Sequence, residues 1–191
     1  SHRMSQKVIT LEKNGDNFDV VIPSRSLREF TSVFSDDIET VEVFFANNQI
    51  LFRSEHISFY TRLLEGNYPD TDRLIPTEFN TEATFNVANL RFAMERARLL
   101  SNATQNGTVK LEFKNGVVSS HVHSPEVGRV NEEIDTSAVS GEDLSISFNP
   151  TYLIEALKAI DSEQVVIRFI SSVRPFTLVP EGNEQGFIQL I

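Results

Sequence analysis

The stretch Ser147–Ile160, SFNPTYLIEALKAI, carries the pattern that decides the fold of this chain. Asn149 followed by Pro150 is typical of a helix start, because the asparagine side chain caps free N–H groups and proline suits the first turn. The apolar side chains that follow share one stripe of that helix: Leu153, Ala156, Leu157 and Ile160. The stretch therefore predicts a strand that closes at Phe148 and leads directly into a helix.

The same passage from strand to helix recurs twice upstream at a fixed spacing. Ile22, Phe85 and Phe148 close a strand and lie 63 residues apart, and the first buried leucines keep the same spacing: Leu27, Leu90 and Leu153. The predicted helices cover about 24–34, 89–100 and 149–160. Strands rich in β-branched and aromatic residues are predicted at 18–22, 41–45, 50–52, 57–64, 109–113 and 165–169. Hairpin turns are predicted at Asn47-Asn48 and Asn115-Gly116.

Three copies of a strand–helix–strand–strand(–strand) unit predict an α+β protein in which copies pack side by side and complete each other's sheet and core. Copies two and three make a complete domain at 76–191, whereas 1–75 holds copy one and is half a domain. The stretch 63–76, LLEGNYPDTDRLIP, joins the two. By composition it is a linker.

The amino-acid composition excludes several classes of protein function. The chain has no cysteine, which excludes disulfide scaffolds and thiolate nucleophiles and is typical of a reducing compartment. Its net charge of −10 argues against a protein that coats nucleic acid through a basic surface. Glycine-rich phosphate loops, a nucleophile elbow and a Cys/His pair are all missing from the sequence.

Five motifs together resemble the bacterial sliding clamp, the beta subunit of DNA polymerase III: SHRM (1–4), LLEGNYPDTDRLIP (63–76), RARLLSNA (96–103), SFNPTYLIEALKAI (147–160) and RPFTLVP (174–180). The residues of these motifs are similar to those of clamps from low-GC Gram-positive bacteria. The resemblance implies a clamp fold with antiparallel sheets outside and helices on the inner face. It also implies a C-terminal fragment that lacks the first domain and half of the middle one, with SHRM as native sequence and a few family residues continuing past Ile191.

The resemblance implies a non-catalytic, cytoplasmic processivity factor without a cofactor. Such a protein closes as a homodimer around duplex DNA and tethers DNA polymerase III alpha-type subunits, the clamp loader and other proteins that carry a clamp-binding peptide. The implied peptide-binding pocket consists of His2, Arg3, Met4, Pro69, Arg73, Leu74, Val173, Pro175 and Leu190. Apolar walls with a few polar groups suit the apolar and aromatic anchors of such peptides.

Two further surfaces are expected on the helices. Basic side chains on their polar faces would line the DNA channel: Arg25, Arg28, Arg91, Arg98 and Lys158. On the second helix, Phe92 and Leu99 lie opposite the buried stripe, and a second apolar stripe indicates a second burial. The clamp resemblance assigns Phe92, Arg96, Leu99 and Leu100 to the dimer interface.

Two alternatives stay open. The chain could be a repeat-built module that binds peptides or other ligands without DNA. More remotely, His121 and His123 alternate along one strand and so share a face, and Glu126 is close enough in sequence to suggest the metal site of a hydrolase.

Overall fold

The structure, a computed structural model, describes residues 3–11, 15, 17–35, 37–101, 107–124, 128–183 and 186–191. In chain order these described residues form β1 (Met4–Lys7), α1 (Ser24–Val33), β2 (Glu42–Ala46), β3 (Gln49–Arg53), β4 (Ser58–Arg62), a 3₁₀ turn (Asp72–Leu74), β5 (Thr81–Asn86), α2 (Val87–Ser101), β6 (Val109–Lys114), β7 (Val117–Ser124), β8 (Gly128–Ile134), β9 (Ala138–Gly141), β10 (Leu144–Phe148), α3 (Pro150–Lys158), β11 (Gln164–Phe169), β12 (Thr177–Pro180) and β13 (Phe187–Leu190). None of the described helices is long and apolar enough to cross a membrane.

The chain divides into two units. The larger unit comprises Ser1–Thr10 and Asp72–Ile191, and the smaller unit comprises Leu11–Thr71. The chain thus leaves the larger unit after residue 10 and returns to it at residue 72. The domain boundary predicted between residues 75 and 76 stays a prediction.

The larger unit contains the second and third copies of the repeat, and they exchange strands. Phe85 of β5 lies opposite Val165 of β11, and Phe148 of β10 lies opposite Val109 of β6. The first strand of each copy therefore pairs with the second strand of the other, while α2 packs against α3. This reciprocal pairing builds a six-stranded sheet, β1-β13-β12-β11-β5-β9, and a four-stranded sheet, β10-β6-β7-β8. The side-by-side packing predicted from the repeat is confirmed for these two copies.

Helix starts follow local capping. The side-chain Oδ1 of Asn149 accepts a hydrogen bond of 2.9 Å from the Thr151 N–H, so the predicted cap of α3 is confirmed. The predicted start of α2 at Asn89 is wrong by two residues. There Asn86 supplies the capping oxygen, which accepts from the Asn89 N–H at 3.0 Å, and the helix begins at Val87.

Strand β1 is an element that the sequence analysis did not predict. It pairs antiparallel with β13, and Met4 lies opposite Leu190. Its four residues alternate between half-buried and exposed side chains, but a run this short gives little periodic signal. The strand extends the six-stranded sheet at one edge.

The smaller unit contains the first copy of the repeat. A three-stranded sheet, β2-β3-β4, lies against α1, and Phe30 of the helix packs on Phe34 and Phe52. The predicted hairpin turn at Asn47-Asn48 connects β2 and β3, with Asn47 at a φ of 35°. The strand predicted at 18–22 is wrong for this structure, since the described backbone there is irregular. In the larger unit the equivalent strands pair with the second strand of another copy, which the described part of the smaller unit does not provide.

Gly141 closes the junction between β9 and β5. It lies opposite Thr81 with a φ of +96°, and the next N–H, that of Glu142, donates a 2.9 Å hydrogen bond to the Asn80 carbonyl. A Cβ atom at this position would stand 1.9 Å from the same carbonyl oxygen. Both the backbone conformation and the space therefore require glycine here.

We expect Gly141→Ala to lower the free energy of unfolding by roughly 2–4 kcal/mol, because it combines a positive φ with a backbone clash. Urea unfolding followed by circular dichroism measures the change. Gly116→Ala is the matched control: its φ is +78° with no atom within 4 Å of the added Cβ, so it should cost only about 1 kcal/mol. Equal losses for the two variants would contradict the clash.

Candidate functional site

A groove with an aromatic floor opens beside the loop between β11 and β12 in the larger unit. It measures about 460 Å³, and its lining includes Phe148, Tyr152, Val173, Pro175 and Phe176. The buried rings of Phe148 and Phe176 lie 5.2 Å apart between centroids and belong to the core. The Val173 side chain is 88% exposed at the rim. A fixed apolar floor with an exposed apolar rim suits the anchor side chain of a peptide.

A second groove of about 420 Å³ lies where β1 joins the sheet. Its lining includes Arg3, Met4, Ala156 and Leu190, and Ile191 lines this groove and the first one. The buried side-chain Nε2 of Gln189 donates a 2.7 Å hydrogen bond to the carbonyl oxygen of Ala156, which fixes β13 against α3. The two grooves therefore adjoin on one rigid base.

Arg3 and Tyr152 connect β1 with α3. The Arg3 guanidinium lies 4.8 Å from the Tyr152 ring centroid and forms an ion pair with Glu155. Both charged side chains are roughly half exposed, so the pair adds little to stability and mainly orients the arginine. The sequence analysis missed Tyr152. Its signal was available, because the tyrosine is the third residue after the Asn149 cap, just before the buried stripe begins.

The 3₁₀ turn brings two more of the predicted pocket residues next to β1. The Gln6 side-chain Nε2 donates a 3.0 Å hydrogen bond to Asp72 Oδ1, which ties β1 to the turn that carries Arg73 and Leu74. Leu74 presents an exposed apolar side chain. The turn is thus a fixed neighbour of the grooves, not a loose part of a linker.

The structure distributes the predicted pocket residues as follows. Arg3, Met4 and Leu190 line one groove, Val173 and Pro175 line the adjoining one, and Arg73 and Leu74 lie on the tied turn. Pro69 belongs to the smaller unit, where it is exposed. His2 lies outside the described residues.

The predicted DNA-facing cations differ in exposure and partners. Arg25 and Arg28 are exposed on α1, where Arg25 pairs with Glu29 at 2.9 Å, and Lys158 is exposed at the end of α3. Arg91 and Arg98 are half-buried on α2. Exposed cations at helix surfaces can contact phosphate without sequence preference.

The outer face of α2 is apolar, as the sequence predicts. Phe92 and Leu99 are both exposed, whereas Leu100 packs against the core. Arg96 forms an ion pair with Glu132 of β8, and the hydrogen bond from this arginine raises the pKa of its guanidinium above the ordinary value. The pair fixes a charge beside the apolar stripe.

The two strand histidines bond to different neighbours. His121 contacts Asn131 Oδ1 at 2.8 Å and Ser119 Oγ at 2.9 Å, while His123 accepts a 3.3 Å hydrogen bond from Arg129. Among the residues that the structure describes, no group of three histidine or acidic side chains could hold a metal ion. Glu126, the third proposed ligand, lies outside them.

Comparisons with known proteins place this geometry in a family. The model of the DNA polymerase III beta subunit, central domain, matches residues 1–70, and that of the C-terminal domain matches residues 72–191. The beta sliding clamp of Streptococcus pneumoniae serotype 4 is 79% identical over 191 residues, which is all of this chain and 50% of that protein. The beta sliding clamp of Lactococcus lactis is 53% identical over 193 residues and is covered to 51%.

Solved structures of related proteins support the same family assignment. The DNA polymerase III beta chain from Streptococcus pneumoniae superposes with a TM-score of 0.97 at 79% identity, covering 100% of this chain and 50% of that one. The DNA polymerase sliding clamp from Bacillus subtilis superposes with a TM-score of 0.93 at 36% identity, with 100% and 50% covered. The chain spans about half the length of the relatives it matches. The α+β clamp fold predicted from the sequence is confirmed, and the chain belongs to the DNA polymerase III beta subunit family, the beta sliding clamps.

Proposed function

We propose that this chain is part of a non-catalytic, cytoplasmic DNA polymerase processivity factor. The observation that carries the proposal is the match of two consecutive clamp-domain models over both units, together with 79% identity to a beta sliding clamp along the whole chain. In the full-length protein, these residues would form part of a homodimeric ring around duplex DNA. The ring would tether an alpha-type polymerase subunit, the clamp loader and other proteins through short peptides.

The adjoining grooves of the larger unit form the proposed peptide-binding site. Tyr152 lines the groove whose rim carries Val173, and its ring also contacts Arg3, a residue of the second groove. An apolar anchor would bury its side chain over the Phe148 and Phe176 floor, while Arg3 offers N–H donors to the peptide backbone. Leu74 would add an apolar contact at the edge of this site.

The basic helix faces form the proposed DNA-facing surface: Arg25, Arg28, Arg91, Arg98 and Lys158. A ring that holds DNA by topology needs only weak phosphate contacts, so a few cations on an acidic protein suffice. The exposed stripe of Phe92 and Leu99, with Arg96 and Leu100 beside it, forms the proposed interface with the other subunit. Large exposed apolar side chains are typical of such an interface.

We expect Leu74→Asp to weaken the binding of a fluorescent clamp-binding peptide, with a glutamine followed by two leucines, by tenfold or more. The reason is that the substitution places a charge where the peptide buries an apolar side chain, and a tenfold loss equals about 1.4 kcal/mol. Fluorescence anisotropy measures the affinity. Leu74 is exposed, so the fold should persist, which circular dichroism checks.

Leu64→Asp provides the matched control for that experiment. Leu64 is also exposed and lies in the same joining segment, but it belongs to the smaller unit. This variant should bind the peptide as the unchanged chain does. Unchanged affinity of the Leu74→Asp variant would contradict the assignment of the peptide-binding site.

The DNA part of the proposal is tested on a full-length protein that carries these residues. After loading onto nicked circular plasmid, it should stay bound through gel filtration in high salt, because topology and not phosphate affinity retains it. Cutting the plasmid with a restriction enzyme should release it. Equal retention on circular and linear DNA would contradict a sliding clamp and favour ordinary DNA binding.

A further inference from the structure

The proposed peptide-binding site of the larger unit is assembled from two segments that are distant in the chain. Met4 comes from β1, whereas Leu74 comes from the re-entry segment (72–80), where the chain returns to the larger unit. Residues 11–71 separate the two and belong to the smaller unit. The covalent chain therefore does not fix the position of Leu74 relative to Met4, and non-covalent contacts must do so.

The far end of the re-entry segment is fixed on β11 and the residue that follows it. The backbone N–H of Asn80 donates a 2.9 Å hydrogen bond to the Phe169 carbonyl, and its side-chain Nδ2 donates one of 3.0 Å to the Ile170 carbonyl. The Arg168 guanidinium lies 5.7 Å from the centroid of the Phe79 ring. These contacts hold the end of the segment and leave the turn at its start to be held by other contacts.

The start of the re-entry segment is held through Asp72. Its side-chain Oδ1 accepts a 3.0 Å hydrogen bond from Gln6 Nε2, and its carbonyl accepts one of 3.3 Å from the Ile75 N–H within the 3₁₀ turn. Asp72 therefore links the turn to β1. Leu74 is the second residue after Asp72 and is 56% exposed, so this link helps to determine where its apolar side chain stands.

Gln6 and Met4 lie on the same face of the sheet. The side chains of β1 alternate between half-buried and exposed, and both of these residues are half-buried. Met4 lies opposite Leu190 of β13, and Gln6 lies opposite Ile188 of the same strand. The hydrogen bond from Gln6 thus brings the turn to the face that carries Met4 and Leu190, which both line the second groove.

We propose that Gln6 and Asp72 are positioning residues of the peptide-binding site. Their hydrogen bond holds the turn so that Leu74 stands beside Met4 and Leu190 before a peptide arrives. Gln6 acts through Leu74 and is not itself a peptide contact. The inference rests on the proposed function, because it concerns the same site.

The physical reason is pre-organisation of the site. An exposed hydrogen bond between two side chains adds little to the stability of a fold, because water competes for both groups. An exposed turn that is free to move, however, must be ordered when a peptide binds, and this ordering is subtracted from the binding free energy. A bond that orders Leu74 in advance therefore contributes more to peptide affinity than to folding.

An exchange of the two polar groups tests the hydrogen bond itself, with the affinity of the 191-residue chain for the clamp-binding peptide measured by fluorescence anisotropy. Gln6→Glu places two carboxylates at the bond, and we expect the affinity to fall about fivefold. Adding Asp72→Asn supplies an amide donor to the new carboxylate and restores the net charge of the unchanged chain. This double variant should bind within about twofold of the unchanged chain.

Lys7→Gln is the matched control for the added charge. It changes the net charge by the same amount as Gln6→Glu, but Lys7 is exposed and alternates with Gln6 along β1. This variant should bind the peptide as the unchanged chain does. Equal losses for Lys7→Gln and Gln6→Glu would overturn the positioning role, and so would a double variant that stays as weak as Gln6→Glu.

A double-mutant cycle shows whether Gln6 acts through Leu74. Gln6→Ala should lower the affinity about fivefold in the unchanged chain and less than about twofold in a Leu74→Ala chain. Equal losses in both backgrounds would overturn the inference, because a general structural effect does not depend on Leu74.

Failure of the inference can be told apart from failure of the proposed function. A loss of affinity in Leu74→Asp without any loss in Gln6→Glu overturns the positioning role and leaves the site assignment in place. Unchanged affinity in Leu74→Asp overturns the site assignment itself, and the positioning role with it.

Discussion

Each strand–helix–strand unit of this chain has an apolar face that it cannot bury alone, and the reciprocal pairing of two units is the contact on which the structure depends. In the larger unit, β5 pairs with β11 and β10 pairs with β6, so each copy supplies one strand to each junction. Helices α2 and α3 then lie side by side over a common core. The same requirement explains the exposure in the smaller unit, because the one copy that it contains leaves the comparable apolar positions exposed.

The grooves are a by-product of that pairing. Phe148 is the last residue of β10, and Tyr152 lies in the first turn of α3, which follows it. Both residues line the first groove, so its base is formed where the paired strand β10 leads into α3. The side chain of Gln189 locks β13 on α3, and β1 is added at the edge of β13. Leu74 stands on a turn whose Asp72 accepts a hydrogen bond from Gln6 of β1, which limits the ordering that a bound peptide would require.

Most of this organisation could be predicted from the sequence, because the repeat sets both the positions and the structural roles of its residues. The cap at Asn149, the stripe of α3 and the hairpin at Asn47-Asn48 depend on neighbours in sequence, and these predictions hold. The predicted start of α2 missed the local cap at Asn86, whereas the strand predicted at 18–22 failed because it depends on distant pairing. Residues 18–22 have strand-forming composition but adopt no strand without a second unit beside them.

The same distinction applies to the site. Motif resemblance named pocket residues 2–4, 69, 73, 74, 173, 175 and 190, but no local rule shows that β1 crosses to β13 or that Tyr152 stacks under Arg3. The apolar stripe on the outer face of α2 could be predicted from the seven-residue spacing of Phe92 and Leu99, because helical geometry alone decides which side chains share a stripe. Contacts across more than a hundred positions leave no such trace.

The pairing of β1 with β13 has a consequence for the order of folding. Met4 and Leu190 lie opposite each other although almost the whole chain separates them, so a ribosome releases the first strand long before its neighbour exists. Contacts between distant positions form late, since a large loop must close first. The groove that these two residues line can therefore be complete only after synthesis of β13. A partly synthesised chain would therefore lack this groove.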